Sequence, residues 1–546
     1  MESKYSKWYH PYKISKDYSK KAAYFSMEFG IDQALKIYSG GLGFLAGSHM
    51  RSAFELKQNM IGIGMLWKYG YYDQARNEDQ TLRTDFIEKT YDFLEDTGIE
   101  VEIKLHDNPH VKVRAYVLKP EIFGTVPIYL LSTDVEGNDF ISKTITNHLY
   151  DANNLTRISQ SIVLGIGGAK VVEALGGADI YHLNEGHALP AFYYLKDQGV
   201  KKKQMVFTTH TPEKAGNEEH DARHLNRCGF FGRTYSEEEL GKEMVNGSMI
   251  NYTVSALRFA RKSNAVSKLH SVVANDMWKD FDGISKIIPI TNAQNQLFWQ
   301  DDVIGKAWTK GNAKAYKARK TELKSELFQE VLEQTGKRFD PNVLTFVWAR
   351  RFAGYKRADL LLHDLERFHK LISNSKYPVQ IIWAGKPYPF DYYAIDIFNH
   401  LIHHSKNHPN LAVLVGYEID LSRKLKCGSD VWLNTPRITR EASGTSGMTA
   451  AMNGSVNVST NDGWIPEFEK DGENCFVLPT IDYKLPVWEQ DKIDANNLYE
   501  ILENKVIPTY YDTPKKWQDI VFKAMDDVIP EFSANTLADK YYKELY

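Results

Sequence analysis

A group of basic residues directly follows residues 344–349, an apolar run that is typical of a buried strand. Arg351 and Lys356 lie five positions apart, with Gly354 between them. A guanidinium and an ammonium group placed across such a bend can bind one phosphate together. The alternative is a solvated helix start, although cations at a helix N-terminus oppose the helix dipole. The pattern therefore favours a phosphate-binding site.

A carboxylate followed by small residues forms a second candidate site. Glu441 precedes Ser443, Gly444 and Thr445 in a segment that follows another apolar run. Backbone amides in a loop of small residues can donate hydrogen bonds to an oxyanion or to sugar hydroxyls. The Glu441 carboxylate can accept hydrogen bonds from a sugar, or face positive charge that develops during a reaction.

A glycine-rich loop forms a third candidate. Gly40, Gly41 and Leu42 lie just before a predicted helix that runs from Phe44 onward. Closely spaced glycines allow backbone N–H groups to turn towards an anion, and a helix N-terminus adds a favourable dipole. A tight turn without any ligand explains the glycines equally well.

Short apolar runs alternate with longer helical stretches along most of the chain. Nearly continuous apolar runs are expected of parallel strands covered on both faces, so a sheet built from βαβ units is the simplest interpretation. Ligands bind such open sheets at the carboxyl ends of the strands. The runs are residues 22–29, 60–66, 127–132, 180–183 and 205–208 in the first half, and 344–349, 379–384, 411–415, 430–433 and 455–460 in the second.

The length of 546 residues suits two domains better than one. We predict an α/β fold with two Rossmann-like, doubly wound domains that face each other across a cleft. These domains are residues 1–290 and 291–530, and residues 531–546 form a C-terminal helix that can cross back to the first domain. Helices are expected at residues 357–371 and 395–404, between strands of the second domain.

Charge and cysteine content exclude several functional classes. Lys and Arg number 67 against 70 Asp and Glu, and this balance argues against nucleic acid or an anionic membrane as a partner. The three cysteines form no CxxC pair, so neither a disulfide framework nor a zinc site is expected. No signal peptide is recognised, and Lys170 and Glu173 interrupt the most apolar stretch. We therefore expect a cytoplasmic protein without a membrane span.

The motifs resemble, in type and order, those of the α-glucan phosphorylases, the family of the glycogen, starch and maltodextrin phosphorylases. The similarity extends over nearly the whole chain and looks like the short form of the family. It implies a GT-B fold and transfer of glucose with retention of the α configuration. The segments that carry it are residues 37–43, 182–187, 208–212, 291–292, 350–357, 430–437 and 441–448.

The resemblance also implies roles for individual residues. Arg351 and Lys356 would bind phosphate, and His210 would contact the glucosyl unit and its developing charge. The residues it implicates in catalysis are His210, Arg351, Lys356 and Glu441. The residues it implicates in substrate binding are Gly40, Gly41 and Leu42 of the glycine loop and, around the sugar, His187, Asn292, Tyr355, Ser443, Gly444 and Thr445.

One position departs from the family pattern. The phosphorylases carry a lysine directly after the Ser-Gly-x-x-x-Met segment, where it forms a Schiff base with pyridoxal phosphate. Here Thr449 follows Met448. Because a threonine has no amine, covalent pyridoxal phosphate is excluded at this position, and we expect no cofactor and no metal.

Three functions remain open. A phosphorylase without the cofactor would act on an α-glucan or maltooligosaccharide with phosphate or glucose 1-phosphate. A glucan synthase-like enzyme would instead use a nucleotide-diphosphate-glucose, admitted by the vacated space. A catalytically inactive, glucan-binding regulatory protein is the third possibility, and the retained charged residues argue against it. We favour the first, and a homodimer is compatible with the resemblance.

Overall fold

A computed structural model describes residues 5–106 and 108–546, which divide into two compact units. Unit 1 comprises the chain up to Tyr72, Phe86–Thr291 and Leu537–Tyr546. Unit 2 comprises Asp73–Asp85 and Asn292–Thr536. Residues 73–85 therefore belong with unit 2 and not with the rest of residues 1–290.

Strands recur along both units, and most of them are buried along their whole length. In chain order they are β1 (Ala22–Phe25), β2 (Met60–Met65), β3 (Asp73–Arg76), β4 (Leu82–Asp85), β5 (Glu95–Leu105), β6 (Asn108–Leu118), β7 (Ile128–Ser132), β8 (Ile180–Asn184), β9 (Met205–Thr208), β10 (Glu219–Asp221), β11 (Met249–Asn251), β12 (Lys262–Ala265), β13 (Ile287–Pro289), β14 (Leu344–Ala349), β15 (Val379–Ala384), β16 (Leu411–Leu414), β17 (Val431–Asn434), β18 (Val456–Ser459) and β19 (Phe476–Val477).

Helices separate most of these strands, and several of them begin at a capping side chain. Asn312 accepts a hydrogen bond from the Ala315 amide at the start of the longest helix, which ends at Gly336 with a φ of 71°. The α-helices are α1 (Gly41–Glu55), α2 (Pro120–Phe123), α3 (Phe140–Thr144), α4 (Asn154–Ile162), α5 (Gly168–Ala174), α6 (Pro190–Asp197), α7 (Ala222–Cys228), α8 (Glu237–Glu243), α9 (Tyr252–Phe259), α10 (Lys268–Trp278), α11 (Gln296–Trp299), α12 (Asp302–Thr309), α13 (Ala313–Thr335), α14 (Leu365–Ile372), α15 (Tyr392–Ser405), α16 (Ile419–Gly428), α17 (Thr445–Met452), α18 (Ile465–Phe468), α19 (Val487–Ile501), α20 (Ile507–Asp512), α21 (Pro514–Glu531) and α22 (Ala534–Lys540).

The main sheet of unit 1 has the order β13-β12-β9-β8-β1-β2-β7-β6-β5. The strands from β13 to β7 pair in parallel, whereas β6 and β5 add an antiparallel edge. Numbered by chain order, the parallel strands run 3-2-1-4-5-6-7 across the sheet. This contains the strand order of a doubly wound sheet.

The main sheet of unit 2 has the order β16-β15-β14-β17-β18-β19, and every neighbouring pair is parallel. Numbered by chain order, these strands run 3-2-1-4-5-6, the order of a Rossmann sheet. Apolar side chains on both faces of β14 are buried against the surrounding helices. The mixed α/β class and the parallel sheets predicted from the apolar runs are confirmed.

One local prediction was wrong, and one hairpin was missed. Residues 357–371 do not form one helix, because Arg357 has a φ of 52° and α14 begins only at Leu365. The hairpin of β5 and β6 was not predicted, since its alternation of exposed and buried residues differs from the continuous apolar runs used to find strands. No helix within residues 5–106 and 108–546 is long and apolar enough to cross a membrane.

Candidate active site

The basic segment after β14 surrounds a carboxylate in unit 2. The Lys356 Nζ donates to Glu441 Oε2 at 2.6 Å, and an Arg350 nitrogen donates to the same oxygen at 3.2 Å. The Glu441 side chain is only 12% exposed. Burial alone would raise its pKa, but Lys356, Arg350 and Arg351 outweigh burial and hold the pKa of Glu441 below its ordinary value. The carboxylate is therefore ionised at neutral pH.

Sequence reasoning gave Arg350 no specific role, and it identified only Arg351 and Lys356 as a phosphate clamp. The side chain of Arg350 is buried, and it also donates to Ser446 Oγ at 3.1 Å. Arg351 is exposed, and its charge reaches Glu441. The Lys356 ammonium lies over the Tyr355 ring, 5.0 Å from the ring centroid. The structure thus brings Arg351, Tyr355, Lys356 and Glu441 together.

The loop that carries Glu441 is fixed by Asp462, which sequence reasoning missed. Asp462 accepts hydrogen bonds from the amides of Glu441 and Gly463, each at 2.9 Å, and from the backbone of Thr439. Thr439 has a φ of 69°, a strained value for a β-branched residue. Burial, together with the Glu441 charge, raises the pKa of Asp462 to about 7 despite these hydrogen bonds.

The small residues after Glu441 form the start of helix α17. Gly444 precedes the helix with a φ of 89°, which favours glycine. A side chain at Gly463 would lie 2.3 Å from the carbonyl oxygen of Ser443, so the two loop segments pack backbone against backbone. Thr445 is the first helical residue, and the amides of a first turn lack partners within the helix.

Two predicted sugar-binding residues of unit 2 hold buried polar atoms without a hydrogen-bond partner among the described residues. These atoms are Asn292 Oδ1 and Ser443 Oγ, and both residues are 4% exposed. A buried polar group left unsatisfied costs about 1–3 kcal/mol. Such atoms in a native protein call for an explanation, and a bound ligand or ordered water supplies one.

Thr449 lies within α17 and is completely buried. Its hydroxyl donates to the carbonyl oxygen of Ser446 at 3.0 Å. The nearest lysine before it in the sequence, Lys426, is also buried and holds its ammonium 3.8 Å from the ring centroid of Trp299. Burial lowers the pKa of Lys426 to about 7.

The glycine loop of unit 1 is tied to a buried carboxylate. Glu28 follows β1 and accepts hydrogen bonds from the amides of Ser39 at 2.6 Å and Gly40 at 3.2 Å. Tyr150 donates its hydroxyl to the other Glu28 oxygen at 2.8 Å. The Gly40 amide therefore already has a hydrogen-bond partner within the protein, the Glu28 carboxylate. Gly41 and Leu42 begin α1, where the amides of a first turn have no partners within the helix.

His210 lies after β9 and is held as a neutral imidazole. Its Nε2 lies 2.7 Å from Asn184 Oδ1, and the Asn184 amide nitrogen donates to Ser26, which fixes the oxygen towards the histidine. The Nε2 atom therefore carries the proton, and Nδ1 is left as an acceptor. Burial lowers the pKa of His210 to about 3, assisted by the neighbouring His270 and His187.

Glu185 and His187, at the carboxyl end of β8, flank His210. Glu185 accepts hydrogen bonds from the His210 amide at 2.7 Å and the Thr211 hydroxyl at 3.0 Å, in a backbone conformation with a φ of 72°. Burial nevertheless raises its pKa. Burial also lowers the pKa of His187 to about 4, and its buried Nδ1 has no hydrogen-bond partner among the described residues.

The candidate residues thus form two groups, one at the carboxyl ends of strands in each unit. Sequence reasoning missed Glu28, Glu185, Arg350 and Asp462, which act on the predicted residues through hydrogen bonds. Their signal was weak, because single carboxylates after apolar runs are common. The predicted cleft stays a prediction. Within the described part of the chain no group of three or more His, Cys, Asp or Glu side chains is arranged to hold a metal ion.

Comparison with known proteins agrees with this geometry. Residues 303–503, which include the group around Glu441, match the model of a family described as carbohydrate phosphorylase. Maltodextrin phosphorylase of Thermococcus litoralis is 33% identical over 100% of this chain and 72% of its own length. This chain belongs to the carbohydrate phosphorylase family.

Two further relatives of this phosphorylase family member cover most of the chain. Glycogen phosphorylase of Mycobacterium tuberculosis is 30% identical over 96% of the chain and 70% of its own length. An uncharacterised protein of Methanocaldococcus jannaschii is 44% identical over 96% of the chain and 100% of its own length. A chain of this shorter length therefore occurs a second time among the relatives.

Proposed function

We propose that this protein is a retaining α-glucan phosphorylase-like glucosyltransferase of the GT-B class. It would transfer glucose between an α-1,4-glucan and phosphate without covalent pyridoxal phosphate. The observation that carries the proposal is the pair of buried, unpartnered polar atoms on Asn292 and Ser443 of unit 2. These are residues that the family resemblance implicates in sugar binding, and hydroxyl groups of a hexose would satisfy them.

The charges in unit 2 support phosphate as the second substrate. Arg350, Arg351 and Lys356 supply three cations against the single carboxylate of Glu441, a net charge of +2. Such a group can bind a phosphate dianion, and the amides at the start of α17 add further donors. The ion pairs to Glu441 hold the cations in place before the phosphate arrives.

In phosphorolysis the glycosidic C1–O bond breaks and a phosphate oxygen bonds to C1. The proton of the phosphate passes to the departing glucan oxygen, and glucose 1-phosphate forms. Positive charge develops on the sugar ring between these events, and the nearby anions stabilise it. The neutral His210 would accept a hydrogen bond from a sugar hydroxyl at Nδ1 and would not add repulsive charge. No protein nucleophile is required in this scheme.

Pyridoxal phosphate, the cofactor that the family resemblance implies, does not fit Thr449. A hydroxyl cannot form a Schiff base, and this hydroxyl already donates to the Ser446 carbonyl in a fully buried position. The purified protein should be colourless and lack the near-ultraviolet band of an internal aldimine. That band, together with a borohydride-stable adduct on any lysine, would contradict this part of the proposal.

The replacement at Thr449 also supports a second candidate, a glucan synthase-like enzyme that uses a nucleotide-diphosphate-glucose. With Thr449 in place of the lysine, the group around Glu441 would lack the pyridoxal phosphate that the family resemblance implies beside it. The group around Glu441 can bind a diphosphate as well as a phosphate. The acceptor in either case would be an α-glucan or maltooligosaccharide.

A donor screen on a maltooligosaccharide primer distinguishes these functions. Glucose 1-phosphate is expected to extend the primer and release phosphate, and excess phosphate should reverse the reaction. Extension from a nucleotide-glucose alone would establish the second candidate. Glucan binding without turnover of any donor would indicate an inactive binding protein and contradict the proposal.

Two lysines provide a matched test of the site. Lys356→Met should lower activity by about 100-fold, the usual effect of losing one group that stabilises charge in a transition state. Lys376→Met is the control, because Lys376 also lies over a tyrosine ring, at 4.4 Å from Tyr377, on the surface. The control should keep wild-type activity, and equal losses in both variants would remove Lys356 from the mechanism.

A further inference from the structure

Five histidines lie together on the surface of unit 2, on α14, on α15 and in the loop that follows α15. None of them belongs to the groups described above. His404 is central, because its pKa is lowered by burial and then by the proximity of each of the other four. The histidine cluster comprises His369, His400, His403, His404 and His408.

Two members of the cluster are close enough to share one ion. His400 and His404 lie one helical turn apart on α15, with ring centroids 4.5 Å apart and ring planes inclined by 39°. His400 is exposed and His404 is half-buried, so both are accessible to a small ion. His403 is less well placed, at 6.4 Å from His404 with its ring plane at 88°.

Neutral imidazole is the form that binds metals, and histidine is the side chain that most readily offers it near pH 7. On the other side of the cluster, the Lys337 ammonium donates to the carbonyl oxygens of Ser405 and Leu411. A cation is therefore better accommodated at His400 and His404 than next to Lys337.

We propose that His400 and His404 bind one divalent transition-metal ion, with water at the remaining coordination positions. Imidazole ligands suit copper, nickel and zinc, and affinity for a given site rises from nickel to copper. Two protein ligands are consistent with the absence, in the described residues, of any preformed group of three. A metal that bridges two turns of α15 would stabilise the folded form by mass action.

Titration calorimetry with Ni²⁺ on protein without a polyhistidine tag tests the site. Wild type should bind one Ni²⁺, and the double variant His400→Ala/His404→Ala should bind at least about tenfold more weakly, the least that metal-site substitutions usually cost. His403→Ala is the matched control and should keep wild-type affinity. Equal binding by wild type and the double variant, or an equal loss in the control, would overturn the assignment.

Two further measurements do not depend on the calorimetry. Ni²⁺ should raise the Tm of wild type and of the control but leave the double variant unchanged. Cu²⁺ bound at stoichiometric concentration should give an electron paramagnetic resonance spectrum with hyperfine coupling to two imidazole nitrogens. A spectrum without nitrogen coupling, or a Tm shift that persists in the double variant, would show that the metal binds elsewhere.

Discussion

Two buried glutamates, one in each unit, each accept several hydrogen bonds, but their pKa values are shifted in opposite directions. Glu441 accepts from Lys356 and Arg350, and these cations hold its pKa below the ordinary value even though burial opposes them. Glu185 accepts from neutral donors, the amides of Gly186 and His210 and the hydroxyl of Thr211, and burial raises its pKa. The sign of the shift follows from the charge of the donors.

This difference indicates a division of labour between the two groups. The unit 2 group keeps full charges in place and suits an anionic substrate such as phosphate. The unit 1 group keeps His210 and His187 uncharged and suits hydroxyl groups, which need both donors and acceptors. Variants that add or remove a single charge in one group test this distinction.

Removing the central charge of unit 2 should have the largest effect. Glu441→Gln leaves Lys356 and Arg350 buried without a counter-charge, and breaking a buried ion pair typically costs about 3–5 kcal/mol. We expect the free energy of unfolding, measured with urea, to fall by about 3 kcal/mol. Activity should fall by about 100-fold or more.

The control for this variant is a surface ion pair of similar length. Glu322 accepts from Arg319 at 2.9 Å, but its side chain is 63% exposed. Glu322→Gln should therefore change the free energy of unfolding by less than about 1 kcal/mol. A loss from Glu441→Gln no larger than that of this control would mean that the group is solvated and not preorganised.

The central strands of both sheets could be predicted from the sequence because a buried parallel strand leaves a continuous apolar run, whereas β5, β6, β12, β13 and β19 were not predicted. The bounds of β14, β15 and β9 agree with the predicted runs, and the other predicted strands differ by a few residues at their ends. The change from unit 1 to unit 2 falls after Thr291. The β3–β4 hairpin lies in unit 2 although it precedes most of unit 1 in the chain, and no local pattern marks such an exchange.

The predicted site residues could be recognised from sequence motifs, but their hydrogen-bond partners could not. Arg351 and Lys356 were recognised by their spacing after a strand, but the partner of Lys356 lies 85 positions away, at Glu441. Asp462 fixes Glu441 from 21 positions away. Such contacts arise when parallel strands bring their carboxyl ends together, so they require the sheet order and not only the existence of strands.

The second-largest effect should appear as a dependence on pH. Asp462 has a pKa of about 7 in the folded protein and about 4 in the unfolded chain, so between these values the folded state binds the extra proton. Stability from this group is therefore present below pH 4 and is lost as pH rises to 7, by about 1 kcal/mol per pH unit.

Asp462→Asn tests this dependence, because an amide does not titrate in this range. Urea unfolding of wild type and variant at pH 5 and pH 8 should show that the variant gains on wild type, by about 2 kcal/mol, at the higher pH. The pH dependence from His210 runs the other way. Its pKa is about 3 in the folded protein, so the unfolded chain binds the proton first and the folded state loses stability as pH falls below 6.5. An unchanged difference at the two pH values would show that Asp462 is ionised throughout.

A smaller effect is expected from giving unit 1 the charge that it lacks. Asn184→Asp places a carboxylate 2.7 Å from His210 Nε2 and should raise the pKa of His210, which nuclear magnetic resonance can follow through the ring protons. A charged imidazole loses the acceptor at Nδ1, and we expect about tenfold lower kcat/KM from the loss of one hydrogen bond to substrate. Asn154→Asp, at the exposed first residue of α4, serves as a control for the substitution itself. Unchanged activity with a raised pKa would show that the neutral form of His210 is not needed.

The smallest effect concerns the carboxylate beneath the glycine loop. Glu28 lies against the amides of Ser39 and Gly40, so its negative charge opposes any anion bound at the start of α1. Glu28→Gln keeps an oxygen for these amides and turns its NH2 group towards the Tyr150 hydroxyl, which can accept from it, while the charge is removed. Affinity for phosphate should rise by about twofold to fivefold, the range of a helix-terminus charge effect of 0.3–1 kcal/mol, and the gain should shrink in high salt. Weaker phosphate binding would mean that Glu28 acts through the shape of the loop, because a charge that only repelled the anion could not lower affinity when removed.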